Sequence, residues 1–155
     1  MRVALYQPDI PQNTGTILRL AACLGVGADV IGPAGFDLSD RALRRAGLDY
    51  INAVDMVRHE SWTSFQTWRQ NCADTSRLIL LTTTADQSYV DFGFQPSDII
   101  LLGRESAGVP QSVHDAADAR LVIPMRQGLR SLNVAVSAAM VLGEALRQTR
   151  GFSVL

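Results

Sequence analysis

The stretch IPMRQGLRSLNVAVSAAM, residues 123–140, begins like the end of a buried strand and finishes like a small-residue helix. Between the two lies a loop with two arginines, a glycine, a serine and an asparagine. A connection that only turns the chain needs one or two turn residues, so the surplus donors mark a loop that binds something. Strand, loop and helix in that order form half of an α/β crossover.

The remaining segments repeat the unit. VALY (3–6), ADVIG (28–32), LILLT (78–82), DIILL (98–102) and ARLVI (119–123) are short apolar runs without in/out alternation, as expected of strands buried on both faces. INAVDMV (51–57) is a weaker sixth candidate. Between runs, TGTILRLAACLG places Ile17, Leu20, Ala21 and Leu24 on one helical face, and SWTSFQTWRQNC does the same for Trp62, Phe65, Trp68 and Cys72. The pattern predicts an α/β fold with a mostly parallel sheet flanked by helices, in one domain spanning residues 1–155. A last helix is expected from about Ser131 to Gln148. Its alanines and Gly143 suit either close packing on the sheet or a helix at a subunit interface.

Composition excludes several classes. With 47% apolar and 19% charged residues the chain is that of an ordinary globular protein rather than a disordered one. Cys23 and Cys72 match no metal or redox spacing, which favours a reduced, cytoplasmic setting. No apolar run is long enough to span a membrane. His59 and His114 read as surface residues, and no ligand cluster points to a metal. A net charge of −1 argues against gripping nucleic acid by bulk electrostatics. All 14 basic residues are arginine, however, so placement must decide what they do.

In parallel sheets, ligands sit beyond the carboxyl ends of the strands. After the first run comes QPDIPQNTGTILR, where Asn13 or Thr14 is expected to cap a helix and Arg19 to lie one turn in. A cation at that positive end gains nothing from the helix dipole, so either an anionic ligand or a pairing with Asp9 explains it. After DIILL comes GRESAGVP. Gly103 and Gly108 permit unusual backbone angles and leave N–H groups to face a ligand, and Glu105 stands between them as an acceptor. After ARLVI comes the opening stretch. Pro124 ends its strand, Gly128 turns the chain and Ser131 is expected to cap the last helix, with Asn133 in its first turn. Capping does not explain Arg126 and Arg130. Three polar loops, each following an apolar strand, suggest one shared pocket.

These residues resemble the SPOUT superfamily of RNA ribose 2′-O-methyltransferases, and within it the small enzymes acting on the wobble position of tRNA. LYQPDIPQNTGTILRLAACLG, LLGRESAGVP and IPMRQGLRSLNVAVSAAM carry the likeness, and GFDLSDRALRRAGLDY is similar to the wobble subgroup in particular. The chain departs from that subgroup at Val134–Val136, where Asn-Leu-Ser-Asn is frequent, and at Gly143, where some members carry tyrosine. The resemblance implies a C-terminal deep trefoil knot, S-adenosylmethionine as cofactor with no metal, a homodimer, and tRNA as partner. The implied cofactor residues are Leu81, Thr82, Thr83, Gly103, Arg104, Glu105, Gly108, Ile123, Pro124, Met125, Gly128, Ser131, Leu132 and Asn133. Arg19, Asn13 and Glu105 take the catalytic positions, and Arg41, Arg44, Arg45, Arg126 and Arg130 are candidates for RNA contact. Methylation of another tRNA or ribosomal RNA position, or a non-catalytic nucleotide- or RNA-binding module on the same fold, are the alternatives.

Overall fold

The computed structural model describes residues 1–39, 52–72 and 76–152. Seven strands form one parallel sheet: β1 (Arg2–Tyr6), β2 (Gly27–Ile31), β3 (Met56–His59), β4 (Leu78–Leu81), β5 (Gln87–Ser88), β6 (Ile99–Leu102) and β7 (Ala119–Val122). Their spatial order is β3-β2-β1-β6-β4-β7-β5. Helices α1 (Pro11–Leu24), α2 (Trp62–Asn71), α3 (Gln111–Ala116) and α4 (Val134–Thr149) supply connections that parallel pairing requires. The expected sheet is present. The two-residue β5, which pairs only with β7, is too short and too polar to be read from periodicity.

The missing alternation in the strands has a direct cause: successive side chains enter different cores. Val3, Leu5, Ile79, Ile100, Leu102 and Leu121 face one cluster, completed by Ile17, Leu18 and Ala21 of α1 and by Ala138, Val141 and Leu142 of α4. Ala4, Tyr6, Leu78, Leu80, Ile99 and Leu101 face the other, completed by Phe65 of α2 and Val113 of α3, with Trp62 and Trp68 packed against it. Leu18 joins the buried face of α1, whereas Leu20 and Leu24 are only partly buried.

Several local expectations are corrected. The first helix starts at Pro11, with Ile10 as its N-cap and no side-chain cap bond, because proline at the first position needs no donor there. Asn13 and Thr14 are therefore inside the first turn. Arg19 lies eight residues past Pro11, about 12 Å along the axis rather than one turn in. The last helix is capped by Asn133 instead of Ser131: the Asn133 side-chain oxygen accepts from the backbone N–H groups of Ala135 at 2.8 Å and Val136 at 3.3 Å. His59 is buried, not superficial. Its Nε2 lies 2.8 Å from Asp29, whose other oxygen accepts from Arg2 Nε at 2.7 Å.

The register decides where the loops emerge. Leu5 pairs with Leu102, Leu102 with Leu81, and Leu81 with Leu121, so β1, β6, β4 and β7 end level with one another along one sheet edge. Their following loops leave side by side.

Candidate active site

Above that edge lies a cavity of about 460 Å³. Its floor is made by strand ends, Leu80, Leu81 and Leu102, and its walls by the three polar loops, by Thr82 and Thr83 after β4 and by the start of α4. Of the residues expected at a cofactor site, Leu81, Thr82, Thr83, Gly103, Arg104, Glu105, Gly108, Ile123, Met125, Ser131, Leu132 and Asn133 line it. Pro124 and Gly128 lie outside the lining. Gly128 serves the turn, with φ at +89°. Asn13 reaches the wall from α1. Ile10, Leu80, Leu102, Val109, Val134 and Ser137 line it too; the five apolar residues carry no polar signal in the sequence, and Ser137 sits inside the last helix.

The loop after β6 folds back on itself. Arg104 and Gly108 form an isolated antiparallel bridge, with Arg104 N–H donating to the Gly108 carbonyl at 2.9 Å and Gly108 N–H to the Arg104 carbonyl at 2.8 Å. Gly108 has φ at +65°, a conformation glycine adopts without the Cβ penalty. A Cβ on Gly103 would lie 2.8 Å from the Gly108 carbonyl carbon, so the two glycines approach too closely for any side chain between them. The expected free N–H groups are fewer than the glycine count suggested. Those of Arg104 and Gly108 close the bridge, and that of Ser106 donates to Asp9 at 3.1 Å.

A hydrogen-bonded chain joins the three loops. Glu105 accepts from the Asp9 backbone N–H at 2.9 Å and from Asn13 Nδ2 at 3.3 Å. Asn13 Oδ1 in turn accepts from Asn133 Nδ2 at 3.0 Å. Asn133 thus spends its oxygen on the N-terminus of α4 and its amide nitrogen on Asn13 in the first turn of α1. An Asn133→Ala variant loses both. Loss of the cap costs about 1 kcal/mol, which lowers Tm by about 2–4 °C in a chain of this size. Differential scanning calorimetry measures that shift, and an unchanged Tm would contradict the cap's role.

Asp9 does not pair with Arg19. Its Oδ1 accepts from Arg104 Nη2 at 2.7 Å and Nε at 3.2 Å, and its Oδ2 accepts from the Ser106 hydroxyl. These bonds, Arg104's first, hold the Asp9 carboxyl at about 2, well below its ordinary value. The contribution of this exposed pairing is complete above the ordinary carboxylate range and fades as the pH falls through about 2. At neutral pH Asp9 is a fixed anion and a very weak base.

Arg19 is exposed and lies outside the cavity wall. It shares an exposed stripe of α1 with Gln12, Thr16 and Cys23. Arg126 and Arg130 are exposed on the loop before α4. Arg41, Arg44 and Arg45 lie outside the described residues. Among the described residues no group of three side chains is placed to hold a metal ion, and no helix is long and apolar enough to cross a membrane.

A parallel α/β sheet with a cavity built from the loops at one strand-end edge defines a class, the small-molecule-binding α/β proteins. Comparison narrows it: the chain belongs to the SpoU rRNA Methylase family, whose model matches residues 1–143. A tRNA (cytidine(34)-2′-O)-methyltransferase of Beijerinckia indica subsp. indica is 64% identical over 146 residues, covering 94% of this chain and 90% of that protein. A solved structure presented as structural insights into the 2-OH methylation of C/U34 on tRNA superposes with a TM-score of 0.86 at 39% identity, covering 95% of this chain and 94% of the other. The SpoU methyltransferase AviRb from Streptomyces viridochromogenes, in complex with the cofactor AdoMet, superposes with a TM-score of 0.86 at 30% identity, covering 96% of this chain and 60% of the other.

Proposed function

We propose that this protein transfers a methyl group from S-adenosylmethionine to the ribose 2′-hydroxyl of the wobble nucleotide of tRNA, cytidine or uridine 34, with leucine isoacceptors as substrates. The observation that carries the reading is the convergence of three strand-end loops on one cavity, joined through Glu105, Asn13 and Asn133. The names of the similar proteins support the same reaction and the same nucleotide.

The residues present suit the cofactor. A cavity of about 460 Å³ is within the range that encloses a molecule of this size, and its wall mixes apolar strand ends with a few polar groups. Leu81, Leu102, Ile123 and Leu132 offer apolar surface to a flat base, and Thr82, Thr83, Ser131 and Ser137 offer hydroxyls. Gly108, where a Cβ would meet nothing within 4 Å, keeps the loop backbone bare, so main-chain groups can approach the ligand. The bound cofactor supplies an electrophilic methyl on a sulfonium and a good leaving group.

The protein's own task is then to position the hydroxyl and to ease loss of its proton. Asn13 and Glu105 stand at the cavity wall, and each has a fixed orientation because each is hydrogen-bonded to another loop. Arg19 stabilises the negative charge that develops on the 2′-oxygen, while the hydroxyl's proton leaves to an RNA phosphate oxygen. An arginine side chain holds its proton too tightly to serve as a base by itself. Exposed Arg126 and Arg130 meet the phosphate backbone, as do Arg41, Arg44 and Arg45.

Residues 1–155 form a single domain, threaded at its C-terminal end as the trefoil knot of the SPOUT fold. The enzyme works as a cytoplasmic homodimer. Supporting the dimer, Leu129, Leu132, Val136 and Met140 expose apolar side chains on α4 and the loop before it, while the opposite face of α4 is filled by its own core.

Incubation with labelled cofactor and bulk tRNA, followed by nucleoside mass spectrometry, tests the reaction. Label in 2′-O-methylcytidine or 2′-O-methyluridine at the wobble position is the expected result. Label at another position, or none, overturns the assignment.

A further inference from the structure

The loop after β1 and the loop after β6 are bound to each other more tightly than a cavity wall requires. Gln7, at the end of β1, has φ at +43°, in the left-handed region that a glutamine rarely adopts. Strained backbone of this kind persists where the surroundings over-determine it. Here the Gln7 backbone N–H donates to Ile31 at 2.8 Å, and its side-chain oxygen lies 3.5 Å from Arg104 Nη1. The turn carries Asp9 across to the β6 loop. There Asp9 accepts from Arg104 on one oxygen and from the Ser106 N–H and hydroxyl on the other. Bonds also run the opposite way, since the Asp9 N–H donates to Glu105. Behind the turn, Gly35 N–H donates to the Pro8 carbonyl at 2.9 Å, and a Cβ on Gly35 would come within 3.2 Å of the Asp9 Cα.

An isolated exposed ion pair of this type contributes little. This one differs in using both carboxylate oxygens and in bracketing Glu105, whose neighbours in sequence, Arg104 and Ser106, are both tied to Asp9. The two groups that hold Glu105, the Asp9 N–H and Asn13, belong to the β1 loop and the first turn of α1. Where that loop sits therefore sets where Glu105 points.

We propose that Asp9 and Arg104 are positioning residues for the methyl transfer, forming with Ser106 a clasp that fixes Glu105 and Asn13 at the cavity wall. The inference rests on the function proposed above. Asp9 does not line the cavity, so its effect on chemistry must pass through the groups it holds. A displacement of about 1 Å at a reacting group is enough to slow a reaction without weakening binding in proportion.

The test compares wild type with Asp9→Asn, Arg104→Gln and the double variant, measuring kcat and KM for tRNA and the Kd for S-adenosylhomocysteine. Each single substitution is expected to lower kcat about tenfold, and Asp9→Asn, which lies off the cavity wall, is expected to leave the Kd for S-adenosylhomocysteine unchanged. The double variant is expected to fall no further than the worse single one, because both remove the same clasp. Arg104→Lys should recover part of kcat, since it restores charge without the fork. Losses that multiply in the double variant, or that fall in Kd with kcat retained, overturn the clasp while leaving the enzyme's function intact. A wild type that makes no methylated tRNA removes the proposed function, and the clasp with it.

Discussion

Arg19→Ala is expected to lower the rate of transfer to tRNA by on the order of 10²–10³, the cost of losing one group that stabilises developing negative charge. Affinity for S-adenosylhomocysteine stays at the wild-type value, because Arg19 is exposed on α1 and outside the cavity wall. Single-turnover methylation with saturating cofactor separates the two quantities. A variant that binds the product normally and methylates at the wild-type rate would remove Arg19 from the mechanism. Arg19→Lys is the informative companion: it keeps the charge but loses the planar fork, so recovery by lysine points to charge alone and continued loss to bidentate contact with oxygen or phosphate.

Gly103→Ala is expected to weaken S-adenosylhomocysteine binding by about 30- to 100-fold, as isothermal titration calorimetry would record. The added methyl would stand 2.8 Å from one backbone carbon of Gly108 and 2.9 Å from another. Neither can move without opening the Arg104–Gly108 bridge. Overpacking of this kind costs about 1–3 kcal/mol, and at about 1.4 kcal/mol per tenfold the upper part of that range gives the stated loss. The adjustment falls on the cavity, since Gly103, Arg104, Glu105 and Gly108 all line it. Wild-type affinity in Gly103→Ala would mean that the β6 loop is not part of the cofactor site. Gly108→Ala meets no atom within 4 Å, so its effect isolates the positive φ from the steric contact.

Legibility was uneven for physical reasons. The runs VALY, ADVIG, LILLT, DIILL and ARLVI could be read as strands because the residues on both faces are apolar, and two cores demand that. The third strand lies beyond most of the expected run 51–57: Met56–His59 is only half apolar, and its histidine is buried against Asp29. The polar loops stood out because glycine, asparagine and arginine after an apolar run have few structural uses. Which polar atom meets which could not be read. Nearness in sequence offers Asp9 a partner in Arg19, ten residues away on the same unit, yet it meets Arg104, ninety-five residues on. Similarly, Ser131 and Asn133 are both capable caps by residue type, and only the structure, in which the Asn133 side-chain oxygen accepts from Ala135 and Val136 N–H, decides between them.

By itself, the sequence determined the local facts: apolar runs that must be buried on both sides, glycines where a side chain cannot fit, and donors collected after strands. These depend on residue type and near neighbours. The tertiary structure alone decided the order β1-β6-β4-β7, and with it the meeting of loops separated by up to 120 residues, as between Asn13 and Asn133. Parallel strands can be laid side by side in many orders with the same periodicity, so the choice among them rests on packing between the two cores. That choice turns three separate polar loops into one site.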